Sequence, residues 1–101
     1  MRWPLVRLTV AEPSMVPTLR PGDWLLVWRT RRIRAGQLVI ARHPDKPDMM
    51  LVKRAGRRTA GGWWLESDNP AEGVADSNRF GAVPVSAIEG KVLFRYGRRR
   101  P

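Results

Sequence analysis

Glu12-Pro13-Ser14-Met15-Val16-Pro17-Thr18-Leu19-Arg20-Pro21-Gly22-Asp23 is the stretch around which the chain is organised. Each proline fixes its own φ and turns the residue before it away from the helical region, so Pro13 and Pro17 brace Ser14 on an extended or turned segment. Pro21-Gly22 then reverses the chain into an apolar strand, Trp24-Leu25-Leu26-Val27-Trp28. A serine held between prolines is, by residue type alone, an ordinary turn residue. It gains interest from Lys53, which follows Met49-Met50-Leu51-Val52. With a side-chain period of two, Lys53 shares a strand face with Leu51 and Met49. Loss of hydration on an apolar face disfavours the ammonium and lowers the lysine pKa. A neutral amine is a competent general base toward a serine hydroxyl. The competing reading is a lysine at a strand edge, snorkelling to water.

Outward from that stretch the chain reads as short strands and turns. Leu5–Val10, Trp24–Arg29, Gln37–Ala41, Met49–Ala55 (closed by Gly56) and Trp63–Glu66 are strand candidates. Ser67–Gly81 reads as a long polar loop. Val83–Val85 and Ile88–Tyr96 supply the last strands, joined by a turn at Ser86-Ala87. Helical periodicity is nowhere sustained, and nine glycines and nine prolines punctuate the chain. These features predict an all-β protein, a small barrel or sandwich, in one domain over residues 1–97 with a basic disordered tail at 98–101.

Composition excludes several chemistries. Without cysteine there is no disulfide, zinc–thiolate site or cysteine nucleophile. The single histidine, His43, lies in the polar loop Arg42-His43-Pro44-Asp45 and reads as a solvated turn residue. No metal site and no cofactor is expected. No apolar run approaches the roughly 20 residues of a membrane span, and the start is not a signal peptide, so the expectation is a cytoplasmic chain, at most peripheral to a membrane. The net charge of +10 attracts nucleic acid, anionic lipid or acidic protein segments. The arginines are scattered, however, and no helix-turn-helix, zinc-finger or RNA-binding motif accompanies them, so nucleic acid is the minority reading.

Three segments together resemble the type I signal peptidase superfamily. Ser14–Asp23 looks like its serine box, and Leu51-Val52-Lys53-Arg54 like its lysine box. Ser67-Asp68-Asn69-Pro70 with Asp76-Ser77-Asn78-Arg79-Phe80-Gly81-Ala82-Val83-Pro84 looks like its third box. The small size is most similar to the proteases that mature nickel-type superoxide dismutase, and the relation to LexA-type self-cleaving repressors is more distant. The resemblance implies Ser14 as nucleophile, its backbone N–H as oxyanion donor and Lys53 as general base. It implies a cleft lined by Val10, Met15, Leu19, Leu51 and Val52, favouring small residues before the cut. Asp68 would pair with Arg54 and Asp76 with Arg79. A precursor protein would lie along the cleft as an added strand.

Two departures stand out. Glu12 occupies the position where many signal peptidases carry a serine that donates to the oxyanion. Val74 stands where bacterial enzymes have a serine that orients the lysine, with Ser77 the nearest replacement. The implied function is removal of an N-terminal propeptide, from a nickel superoxide dismutase by resemblance. The alternatives are general signal-peptidase-like processing at an anionic membrane surface, and a non-catalytic basic module binding nucleic acid or acidic peptides.

Overall fold

The computed structural model describes residues 3–69 and 76–98. Six strands, β1 (Leu5–Thr9), β2 (Asp23–Trp28), β3 (Leu38–Arg42), β4 (Met50–Thr59), β5 (Gly62–Glu66) and β6 (Ile88–Arg98), form one antiparallel sheet. Its order is β1-β2-β6-β3-β4-β5. The fold is all-β, and the barrel-or-sandwich expectation resolves to a single sheet with an apolar cluster on each face.

The apolar run Leu38-Val39-Ile40-Ala41 explains why β3 lies inside the sheet: a strand covered on both faces has no use for a polar side. Val39 and Ala41 enter one cluster with Ala55, Leu65, Val83 and Ile88. Ile40, pointing the other way, joins Val10, Met15, Leu19, Leu25 and Val27. Each such buried side chain contributes roughly 1.5–3 kcal/mol relative to exposure, so these two clusters carry the fold. The serine loop covers the second cluster, and the chain after β5 covers the first.

Several boundaries differ from expectation. β4 does not close at Gly56 but runs on to Thr59, with a bulge between Ala55 and Arg57. A Cβ at Gly56 would collide with the Glu66 carboxylate, so the strand continues there because the residue is glycine. The polar loop contains a one-turn helix, α1 (Ser77–Phe80), whose N-terminus is capped by the Asp76 side chain accepting from Asn78 N. Val83 makes only an isolated bridge with Trp63, and a 3-10 turn at Val85–Ala87 leads into β6. The expected tail begins inside the sheet, because Arg98 ends β6 and its guanidinium meets buried Asp23; residues 99–101 lie outside the described ones. His43 is buried rather than solvated, its ring edge-on to Phe80 at 5.2 Å and its Nδ1 accepting from Asp45 N.

Candidate active site

Ser14 sits in a 3-10 turn, Pro13–Met15, that Pro13 starts and that places Ser14 and Met15 in the interior. The i→i+3 pattern of such a turn leaves the Ser14 N–H without an acceptor inside the turn, and Pro13 has no N–H to compete. Lys53 lies mid-strand in β4, where alternation buries Leu51, Lys53 and Ala55 together. Only 2% of its surface is exposed. Both residues line one cavity of about 400 Å³, walled by Leu8, Val10, Met15, Leu51 and Val52.

Lys53 forms no ion pair among the described residues. Its Nζ donates to Ser67 Oγ at 3.1 Å, and that is its hydrogen bond rather than one to Ser14. Burial holds its pKa below the usual lysine value, and the charges of Asp76 and Glu12 only partly oppose this. Glu12 is exposed on the cavity wall.

The segment Ser67-Asp68-Asn69 ties the serine turn to the lysine strand. Asp68 takes a two-pronged contact from Arg54, Nε to Oδ1 at 3.0 Å and Nη2 to Oδ2 at 2.6 Å. It also accepts from Thr18 Oγ1 at 2.6 Å, while its N–H points at Met15 Sδ, 3.4 Å away. The Arg54 hydrogen bond, helped by Thr18 and working against burial, holds the Asp68 carboxyl below the usual range. Asn69 donates from its side chain to Pro13 O at 3.0 Å and from its backbone to Ser14 O at 2.9 Å. Ser14 is thus gripped through its own carbonyl, leaving hydroxyl and N–H to the cavity.

Of the expected lining residues, Val10, Met15, Leu51 and Val52 border the cavity, whereas Leu19 packs into the core behind it. Asp76 accepts from Ser67 N at 3.2 Å, and its backbone carbonyl takes the Arg79 N–H. Ser77 does not reach the lysine: its Oγ accepts from Leu65 N at 2.7 Å inside the core. Val74 and Pro70 lie outside the described residues. The lysine's partner, Ser67, is a residue that sequence reasoning missed. Its signal is the register: Arg54 faces Glu66, so the next pair toward the serine loop is Lys53 and Ser67. Leu8, Met49 and Met50 also border the cavity without having been expected there. The described residues hold no cluster of three or more metal-ligating side chains.

A serine on a braced turn and a buried lysine, without an ion pair among the described residues, thus open on one cavity of an all-β sheet. The chain belongs to the Peptidase S24-like family, which it matches over residues 4–93. This agrees with the resemblance to the signal peptidase superfamily. It is 33% identical to subunit 1 of the mitochondrial inner membrane protease of Xenopus tropicalis, covering 82% of this chain and 64% of that one. It is 34% identical to the mitochondrial ATP-independent inner membrane protease subunit 1a of Arabidopsis thaliana, covering 85% and 67%. A subunit 2 from Schizosaccharomyces pombe is 28% identical, covering 84% and 61%. The chain therefore spans about two thirds of the length of the curated relatives it matches. None of its described helices is long and apolar enough to cross a membrane.

Proposed function

We propose that the chain is a serine endopeptidase whose Ser14 and Lys53 form the catalytic dyad, and that it cuts an N-terminal segment from a precursor protein. The observation that carries this reading is a buried lysine without an ion-paired carboxylate among the described residues, sharing a cavity with a serine. A structural lysine in that position would cost stability without return. A base needs the neutral amine that burial favours.

In this reading the neutral Lys53 amine takes the Ser14 hydroxyl proton as Oγ attacks the scissile carbonyl. The Ser14 N–H donates to the resulting oxyanion. As the tetrahedral intermediate collapses, the peptide C–N bond breaks and the Lys53 ammonium protonates the departing amine. Water then attacks the acyl-serine ester, giving a proton to Lys53, which passes it to Ser14 Oγ as the ester C–O bond breaks and the acid is released. Ser67 holds one N–H of the amine, which sets the direction of its lone pair. Substrate lies extended along the cavity between β1 and β4, with Leu51 and Met15 limiting the residue before the cut to a small side chain.

By sequence resemblance the precursor is a nickel superoxide dismutase. A second reading, processing of substrates at a membrane surface, is favoured by the relatives, which are inner membrane proteases by name. Side-by-side processing of a candidate precursor by wild type, Ser14→Ala and Lys53→Arg tests the dyad. Arginine keeps the charge but cannot deprotonate. Both variants are expected to fold and to lose cleavage by at least about 10³-fold; undiminished cleavage by either one overturns the assignment.

A further inference from the structure

Glu12 brings to the catalytic cavity a charge that the dyad itself does not use. Its extended backbone carries the chain from β1 into the serine turn, two residues before Ser14. Its side chain does not cap that turn and forms no ion pair among the described residues. In a chain with 19 cationic residues and nine acidic ones, Asp23, Asp68 and Glu89 each meet an arginine. Glu12 is instead exposed on the wall of the Ser14–Lys53 cavity. Among the described residues that line this cavity it is the one carboxylate, and Lys53 is the one basic group.

A carboxylate only accepts hydrogen bonds, so Glu12 cannot donate to the oxyanion. Its negative charge works against the one that develops as Ser14 attacks. The charge reaches the dyad, because it acts on Lys53 and opposes the effect of burial there. A cation supplied by the substrate would neutralise Glu12 and remove this opposition. Position says which substrate residue can supply it. Leu8, Val10, Met15, Leu51 and Val52 make the cavity apolar where the residues before the cut lie along β1. Glu12 stands at the serine end of that path, where the chain beyond the cut leaves.

We propose that Glu12 is a specificity-determining residue that binds the lysine or arginine side chain of the substrate residue immediately after the cut. The inference rests on the Ser14–Lys53 reading and narrows its substrate class to precursors whose released chain begins with a basic residue. A long cationic side chain reaches from the scissile bond to an exposed carboxylate. Because the ion pair relieves a charge that opposes the transition state, the preference acts on kcat as well as on KM. The field of a chain of net charge +10 repels basic peptides at a distance, so a preference for them has to arise locally. A glutamate kept only for solubility would leave cleavage indifferent to charge.

The test uses capped peptides Val-Ala-Ala-Xaa-Ala-Ala with lysine, glutamine or glutamate at Xaa, and reads cleavage of the Ala–Xaa bond. The pH is set above the Lys53 midpoint, so that a changed lysine pKa does not enter the comparison. In kcat/KM the lysine peptide should lead the glutamate peptide roughly tenfold, with glutamine between them, and added salt should narrow the gap. Glu12→Gln should bring the three within about twofold of one another, and Glu12→Lys should invert their order. Fluorescence anisotropy of the same peptides on full-length Ser14→Ala protein reads the preference without cleavage. There lysine should bind at least about threefold tighter than glutamate, and the difference should vanish in Ser14→Ala/Glu12→Gln. Charge-blind cleavage and binding, or an order unchanged by Glu12→Gln, overturns the role of Glu12 and leaves the dyad standing. Undiminished cleavage by Ser14→Ala overturns the dyad and this inference with it.

Discussion

Asp23 and Lys53 are, among the described residues, the two most deeply buried charged side chains, and they are treated in opposite ways. Asp23, with no exposed surface, receives Arg98, the Arg20 N–H at 2.8 Å and the more distant Arg95. Burial alone would raise its pKa, yet these partners outweigh it and hold the carboxyl below its usual range, so it stays charged. Lys53, almost as buried, has one neutral hydroxyl as its hydrogen-bond partner among the described residues, and burial lowers its pKa against the opposing charges of Asp76 and Glu12. Both pKa values fall, but one shift favours the charged form and the other the neutral form. A buried ion kept for architecture is surrounded by counter-charge; a buried base is kept short of it.

The largest effect expected from breaking this contrast is the loss of cleavage in Lys53→Arg, at least about 10³-fold, with circular dichroism unchanged. Next comes Asp23→Asn. Asn keeps an acceptor for Arg20 but not the charge for Arg98 and Arg95, which are part-exposed and recover hydration. The expected loss is about 1–3 kcal/mol in urea unfolding. The sign follows from linkage: the folded-state pKa of Asp23 is depressed, so its stabilisation is present above its unfolded pKa near 3.8 and is lost as pH falls through the folded value. Asp23→Asn should therefore flatten the acid limb of the stability curve.

Ser67→Ala comes next. It should lower kcat about tenfold at constant KM, through a misaimed lysine, and Ser67→Thr should restore most of the rate. The smallest effect sharpens the contrast from the other side. Lys53→Met fills the site with a chain of similar length and no charge, and should stabilise the protein at pH 7 by about 1 kcal/mol while abolishing cleavage. Because the Lys53 pKa is depressed in the fold, the unfolded chain binds its proton more readily. The penalty is thus complete below the folded pKa and vanishes above the unfolded 10.5. The thermal advantage of Lys53→Met should accordingly shrink as pH rises.

What the sequence made legible here was local. Strand alternation put Lys53 on the face of Leu51, and two prolines put Ser14 on a turn; neither needed knowledge of distant contacts. Ser67 escaped because its position depends on where one extra residue enters β4. Beyond the bulge Arg57 faces Trp64 and Arg58 faces Trp63; carried straight through, that register would oppose Lys53 to Asp68. The bulge at Gly56 moves it by one and delivers Ser67. Gly56 reads in the sequence as a strand end, and nothing local distinguishes an end from a bulge. His43 and Arg98 were misread for a related reason. The burial of His43 comes with Phe80, and Arg98 is held in the sheet by Asp23, at separations of 37 and 75 residues. The exposure of Trp24 and Trp28 was not legible in a different sense, since an unbroken apolar run does not say which of its sides is covered, and here the inner side of β2 is filled by Leu25 and Val27.

The central claim, that Lys53 is a neutral base at working pH, is tested most directly by titrating its Cε resonance in protein labelled with carbon-13 lysine. The chain has three lysines, and the signal missing from Lys53→Arg identifies the one sought. The account predicts that Lys53 titrates well below the ordinary lysine value of about 10.4, and that the ascending limb of kcat/KM against pH follows the same midpoint. A Lys53 resonance that titrates at the ordinary value, or a pH–rate limb that ignores its midpoint, would contradict it.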